Sequence, residues 1–164
     1  MHTHIKPVAF QALIETLIRN EATFALIGGV ALILQGSSRS TQDLDICYAR
    51  NDRNYVRLAA ALEPWHVRLR DAPENLPFHL DAATLRRGLN FTLDTELGAL
   101  DLFGEVPGLG YFETLSQYCE SMDLFGHSVL TLTLEGLERA KLTSGRLKDS
   151  LDIDEIRKIQ KLKS

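Results

Sequence analysis

The stretch from Phe24 to Arg50 constrains the rest of the chain. It reads Phe-Ala-Leu-Ile-Gly-Gly-Val-Ala-Leu-Ile-Leu-Gln-Gly-Ser-Ser-Arg-Ser-Thr-Gln-Asp-Leu-Asp-Ile-Cys-Tyr-Ala-Arg. Phe24 to Ile27 has the length and apolarity of a buried strand. Gly28-Gly29 ends it with a turn in which positive φ costs little. Val30 to Leu34 then starts a helix whose first amides are free to meet an anion. Gly36 to Gln42 is a loop of small polar residues around Arg39. In the strand Asp43-Leu44-Asp45-Ile46, residues two apart share a face, so Asp43 and Asp45 point one way and Leu44 and Ile46 the other. Two carboxylates so placed repel each other unless a cation lies between them. Mg²⁺ suits them, because it favours hard oxygens from one or two carboxylates together with nucleotide phosphates.

A glycine pair after a strand, followed through a polar loop by Asp-x-Asp, resembles the signature of the nucleotidyltransferase fold. The resemblance implies an α/β (α+β) architecture, with a mixed β-sheet flanked by helices and a helical C-terminus. It also implies that Gly28 and Gly29 hold a triphosphate, that Asp43 and Asp45 hold the metal, and that a third acid comes from a neighbouring strand. Asp101 is the candidate, as a carboxylate inside the apolar run Leu100-Asp101-Leu102-Phe103, where an unpaired charge is costly. Asp94 is its rival but sits nearer a turn.

Along the rest of the chain, Pro7 to Arg19 reads as an amphipathic helix, with Phe10, Leu13, Ile14, Leu17 and Ile18 on one stripe. Asn51 to Glu63 reads as a helix capped by Asn51 and stopped by Pro64. Trp65 to Leu69 alternates like a strand, and Asp81 caps a short helix through Arg87. Asn90 to Thr95 and the strand within Gly98 to Val106 form an antiparallel hairpin. Tyr111 to Cys119 is expected as a short helix, and Met122 to Phe125 with Val129 to Leu132 as a second hairpin. Thr133 begins a helix that Gly145 interrupts. Lys148 to Leu162 closes the chain, with Leu151, Ile153, Ile156 and Ile159 expected to pack inward.

The second recognisable piece is Lys141-x4-Arg146-x-Lys148-Asp149-x2-Asp152-Ile153. Basic residues around the Gly145 break suit phosphate oxygens. The pattern resembles the C-terminal motif of bacterial nucleotidyltransferase-like proteins related to the AbiEii toxins. That resemblance implies a lysine and an aspartate near the nucleotide, and extends the likeness over about Phe24 to Ile159. Lys141 is then expected in the carboxylate cleft, where its substitution should lower transfer with little loss of stability. Arg146 and Lys148 are expected further out, within reach of an acceptor.

The 164 residues are enough for one domain, read as 1–164, and the net charge of −4 gives no general pull toward nucleic acid. Cys47 and Cys119 lack metal-site spacing and read as reduced thiols. No apolar run of about 18 residues marks a membrane span, so a cytoplasmic location is expected. Together these readings imply a metal-dependent nucleotidyltransferase that moves a nucleoside monophosphate from an NTP to a hydroxyl. Catalysis falls to Asp43, Asp45, Asp101 and Lys141, with Mg²⁺ or Mn²⁺ on the three aspartates. Nucleotide binding falls to Gly28, Gly29, Ser38, Arg39, Arg146 and Lys148. The acceptor is RNA (tRNA included), a protein or a small molecule. A toxin role with a cognate antitoxin partner belongs to the AbiEii resemblance. The alternative is a non-catalytic nucleotide-binding or partner-binding module on the same fold.

Overall fold

The computed structural model describes residues 8–73, 75–145 and 147–164, with only the backbone of residues 147–149. In chain order the elements are α1 (Phe10–Arg19), β1 (Phe24–Ile27), α2 (Gly28–Leu34), β2 (Asp43–Tyr48), α3 (Asp52–Leu62), β3 (Arg68–Leu69), α4 (Ala82–Arg87), β4 (Asn90–Thr95), β5 (Gly98–Phe103), β6 (Glu105–Val106), β7 (Gly110–Tyr111), α5 (Phe112–Leu115), β8 (Cys119–Leu124), β9 (His127–Leu132), α6 (Leu134–Ser144) and α7 (Leu147–Lys163). Seven strands form one sheet in the order β3-β4-β5-β2-β1-β9-β8. The β2–β5 and β1–β9 pairs are parallel and the others antiparallel, so the sheet is mixed, as expected. β6 and β7 make a separate small ribbon.

Strand alternation divides the apolar residues between two cores. Leu44 and Ile46 of β2, Leu93 of β4, and Leu100 and Leu102 of β5 pack with Leu13 and Leu17 of α1 and Leu58 of α3. On the other face, Ala25 and Ile27 of β1 and Cys47 of β2 pack with Leu134 and Leu137 of α6 and Ile156 of α7. That second layer covers the β1–β9 side of the sheet. Toward the opposite edge the same face carries Arg68, Thr92 and Asn90, all exposed.

The capping residues act as expected: Asn51 accepts from the Asn54 N–H, Asp81 from Thr84 and Thr133 from Gly136. Four expectations need correction. The strand at Trp65 to Leu69 shrinks to Arg68–Leu69, because Pro64 sits in a 3-10 turn over Glu63–Trp65 and His66 follows in the left-handed region. The helix at Tyr111 to Cys119 is one α-turn and one 3-10 turn, after which Cys119 starts β8. Phe125 is not in a strand: with Gly126 it forms a two-residue turn, both at positive φ, the form that matches the twist of a hairpin. Leu151 faces solvent at 61% exposure, whereas Ile153, Ile156 and Ile159 are buried.

Asn54 ties the first strand pair together. Its amide donates to the carbonyls of Thr23 (2.9 Å) and Ala49 (2.8 Å), and its oxygen accepts from the Thr23 N–H at 2.7 Å. It is 2% exposed, so Asn54→Ala strands three backbone groups in a site from which water is excluded. The expected loss is roughly 3 kcal/mol, read as a lowered midpoint in urea unfolding with an unchanged slope. An unchanged midpoint would show that the strand ends hold without it.

Candidate active site

β2 lies between β1 and β5, and the register fixes the site. Ile27 pairs with Asp45 on one side, and Asp45 pairs with Asp101 on the other. Residues paired across neighbouring strands project to the same face. Asp43, two residues before Asp45, shares that face. One carboxylate oxygen from each of Asp43, Asp45 and Asp101 lies within 4.8 Å of the others. Asp94 does not join this cluster but accepts from Arg70 Nε at 3.2 Å.

The three acids meet at the border between the helix-covered half of the sheet and the open half. Burial, reinforced by the charges of Asp43 and Asp101, pushes Asp45 from 3.8 up to about 8. Burial also raises Asp101, against the opposing pull of Arg70, whose Nη2 donates to Asp101 Oδ1 at 2.8 Å. Asp45 Oδ1 is buried and has no hydrogen-bond partner among the described residues. A hard divalent cation fits this donor set: three carboxylates converge, and one buried oxygen is unsatisfied. Asp43, Asp45 and Asp101 are the residues that can hold it.

Gly28 is required twice over. It stands at φ +62°, and a Cβ there would overlap the Asp45 carboxylate. The constraint at Gly29 differs from that expected of a phosphate cradle alone. A Cβ would come within 2.6 Å of the Thr41 hydroxyl and 2.8 Å of its Cβ. Gly29→Ala therefore crowds the loop before β2 and cannot by itself report on a phosphate. The helix begins at Gly28 and not at Val30.

Lys141 lines the same cavity of about 270 Å³ as Gly28 and Asp45. Phe103, Val106 and Pro107 form an apolar wall of that cavity. Lys141 Nζ lies 3.1 Å from Asp152 Oδ2, and Arg39 binds the other oxygen of the same carboxylate. Arg39 Nε also meets Glu155 at 2.7 Å, and Glu155 accepts from the Ser37 hydroxyl at 2.8 Å. Arg39, expected on the nucleotide, is thus engaged by α7. Ser38 is exposed, and it is Ser37 that is buried. Asp152 is 4% exposed, so truncating Lys141 leaves a buried carboxylate short of one cation, and some loss of stability is expected after all. Arg146 and the side chain of Lys148 lie outside the described residues.

Sequence reasoning missed Arg70, Ser37 and Glu155. Nothing local marks them: Arg70 follows a two-residue strand, and its partners lie on β4 and β5. Burial pushes the thiols of Cys47 and Cys119 up to about 12, which disfavours the reactive thiolate at both.

No protein-family profile matches the chain, and no curated protein does. Solved structures do. The lincosamide antibiotic adenylyltransferase LnuA, solved with lincomycin bound, aligns with a TM-score of 0.59 at 16% identity, covering 94% of this chain and 99% of its own. A Thermotoga maritima protein described as a nucleotidyltransferase aligns at 0.56 and 14% identity, covering 94% and 97%. The antibiotic-resistance factor ANT(2'')-Ia aligns at 0.55 and 13% identity, covering 94% and 82%. The chain therefore has a nucleotidyltransferase fold. These likenesses extend to the fold and not to the AbiEii branch.

The Asp45 carboxyl gives a pH dependence with a definite sign. The native chain keeps a proton on Asp45 up to about pH 8, which the unfolded chain releases near 3.8. The contribution is fully present below the lower value and is lost as pH rises toward the upper one. Without divalent ions, Tm should fall as pH rises through the upper part of that window. Mg²⁺ should raise Tm most at the alkaline end, and Asp45→Asn should flatten both effects. Thermal melts in chelator and in Mg²⁺ decide the matter; an equal slope in Asp45→Asn would rule out Asp45 as the source.

Proposed function

We propose that this chain is a metal-dependent nucleotidyltransferase, transferring a nucleoside monophosphate from an NTP to a hydroxyl. The observation that carries the reading is the convergence of Asp43, Asp45 and Asp101 around a buried, unpartnered carboxylate oxygen. A Mg²⁺ or Mn²⁺ ion held there would neutralise phosphate charge and align the reacting oxygens.

The chain's own residues then have defined tasks. Gly28 and Gly29 let the triphosphate approach the backbone beside Asp45. Lys141, lining the same cavity, balances phosphate charge while Asp152 holds its ammonium. The apolar wall at Phe103, Val106 and Pro107 suits the flat face of a base. Asp101 takes the proton from the acceptor hydroxyl through the oxygen that Arg70 leaves open. The hydroxyl oxygen bonds to the α-phosphorus, the bond to the bridging oxygen breaks, and pyrophosphate leaves with that electron pair.

A small hydroxylated acceptor is supported by the likeness to LnuA, solved with lincomycin bound. The toxin role and an antitoxin partner rest on the AbiEii resemblance alone, and RNA, tRNA and protein hydroxyls are the other acceptors to test. A cytoplasmic setting agrees with nucleotide use, and no helix among the described residues is long and apolar enough to cross a membrane.

The test is pyrophosphate release and label transfer from each common α-labelled ribonucleoside triphosphate, with Mg²⁺ and a panel of tRNA, protein and small hydroxylated acceptors. Asp101→Asn should lower transfer on the order of 10²–10⁴-fold while nucleotide binding persists. Asp43→Asn should abolish metal-dependent binding. Nucleotide binding without pyrophosphate release on any acceptor would favour the non-catalytic module.

A further inference from the structure

Arg70 leaves the end of β3 with its backbone N–H bonded to the Thr92 carbonyl at 2.9 Å. Its side chain, 23% exposed, runs along the polar face of the sheet toward the carboxylates. Nε donates to Asp94 Oδ1 at 3.2 Å, and Nη2 donates both to the Leu93 carbonyl at 2.7 Å and to Asp101 Oδ1 at 2.8 Å. Two of these three acceptors lie outside the cluster. The guanidinium therefore has a seat, on Asp94 and the Leu93 carbonyl, that does not depend on Asp101.

The consequence is a charge count. Once a bound cation has displaced the proton from Asp45, three carboxylates and one guanidinium leave two negative charges, which one divalent ion balances. Asp94 shares the guanidinium, but at 41% exposure water carries much of its charge. Lys141, on the other side of Asp45, is already matched by Asp152. A second divalent ion would find one oxygen of Asp101 taken and a fixed positive charge beside it. It has to bring its own negative charge, as a bound triphosphate does.

Building on the metal-centre reading above, we propose that Arg70 stands in for a second metal ion. Without nucleotide the cluster takes one divalent cation, seated on Asp43 and Asp45, while Arg70 positions Asp101. Arg70 is thus a positioning residue that sets the ion stoichiometry of the site.

Titration of the full chain with Mn²⁺ in the absence of nucleotide, following free Mn²⁺ by electron paramagnetic resonance, tests this without any assay of turnover. The parent should bind one ion per chain. Arg70→Met should bind a second, or bind the first about tenfold or more tightly, as expected when a unit positive charge is removed from close to the ion. Arg70→Lys, which keeps the charge, should stay near the parent. An Arg70→Met protein that is folded by circular dichroism and titrates like the parent overturns the proposal, as does a parent that takes two ions. If Arg70→Met does not fold, Arg70→Gln replaces it; failure of both makes Arg70 a folding residue and also overturns the proposal. Asp45→Asn separates the two levels. If it retains the ion, or if the parent binds none, the metal-centre reading itself fails, and the role of Arg70 fails with it.

Discussion

The pairing of Asp45 with Asp101 across a parallel strand pair is the constraint on which the rest of the structure depends. It places two acids opposite one another in the middle of a sheet, with a third two residues away. Strand geometry makes this affordable only because alternation sends Leu44, Ile46, Leu100 and Leu102 to the other face, where all are fully buried. The apolar face fixes the register, since a slip of one residue would drive the aspartates into the core. The register in turn concentrates negative charge at one point. Burial first, and the charges of Asp43 and Asp101 second, push Asp45 up to about 8 when no cation is bound.

The helices of the second layer answer part of this charge and leave part unanswered. Asp152 of α7 draws Arg39 from the loop before β2 and Lys141 from α6 to one nearly buried carboxylate. A buried acid between two cations fixes the relative positions of three segments and adds little net stability. It positions Lys141 over the cavity shared with Asp45 and Gly28. On the open side Arg70 does the corresponding work for Asp101. Asp45 itself has neither kind of partner, and its Oδ1 is left to whatever the site binds.

The parts that were legible in the sequence are those with local causes. β1 begins and ends with its apolar run and β4 with its alternation, and the three caps act through their own side chains. The face shared by Asp43 and Asp45 follows from the period of a strand, and Asp101 was found as a charge inside an apolar run. What could not be read depends on contacts between distant segments. Nothing near Arg70 announces Asp101, and nothing near Arg39 announces Asp152 and Glu155. Leu151 fits the apolar spacing of α7 but falls beyond the stripe that meets the sheet. Trp65 to Leu69 alternates correctly, yet a left-handed His66 breaks its extension.

The uneven covering of the sheet gives the site a direction. α6 and α7 close the face over β1 and β9 and stop at the carboxylates, so the cavity with its apolar wall opens on one side of them. On the other side β4 and β5 continue the same face with Thr92, Asp94 and Asn90, and no helix of the described residues packs over them in the second core. In the proposed reaction the two substrates must meet at the α-phosphorus from opposite sides, because the attacking and leaving oxygens lie in line. A triphosphate held by the glycine turn and Lys141 occupies the covered side. The hydroxyl then approaches over β4 and β5, past Arg70, to the open oxygen of Asp101. In the proposed reaction the exposed polar face of β3–β5 would determine which acceptors fit, and the covered cavity which nucleotide does. In that reaction the two specificities would lie on opposite sides of the paired aspartates, with β5 contributing to both through Phe103 and Asp101.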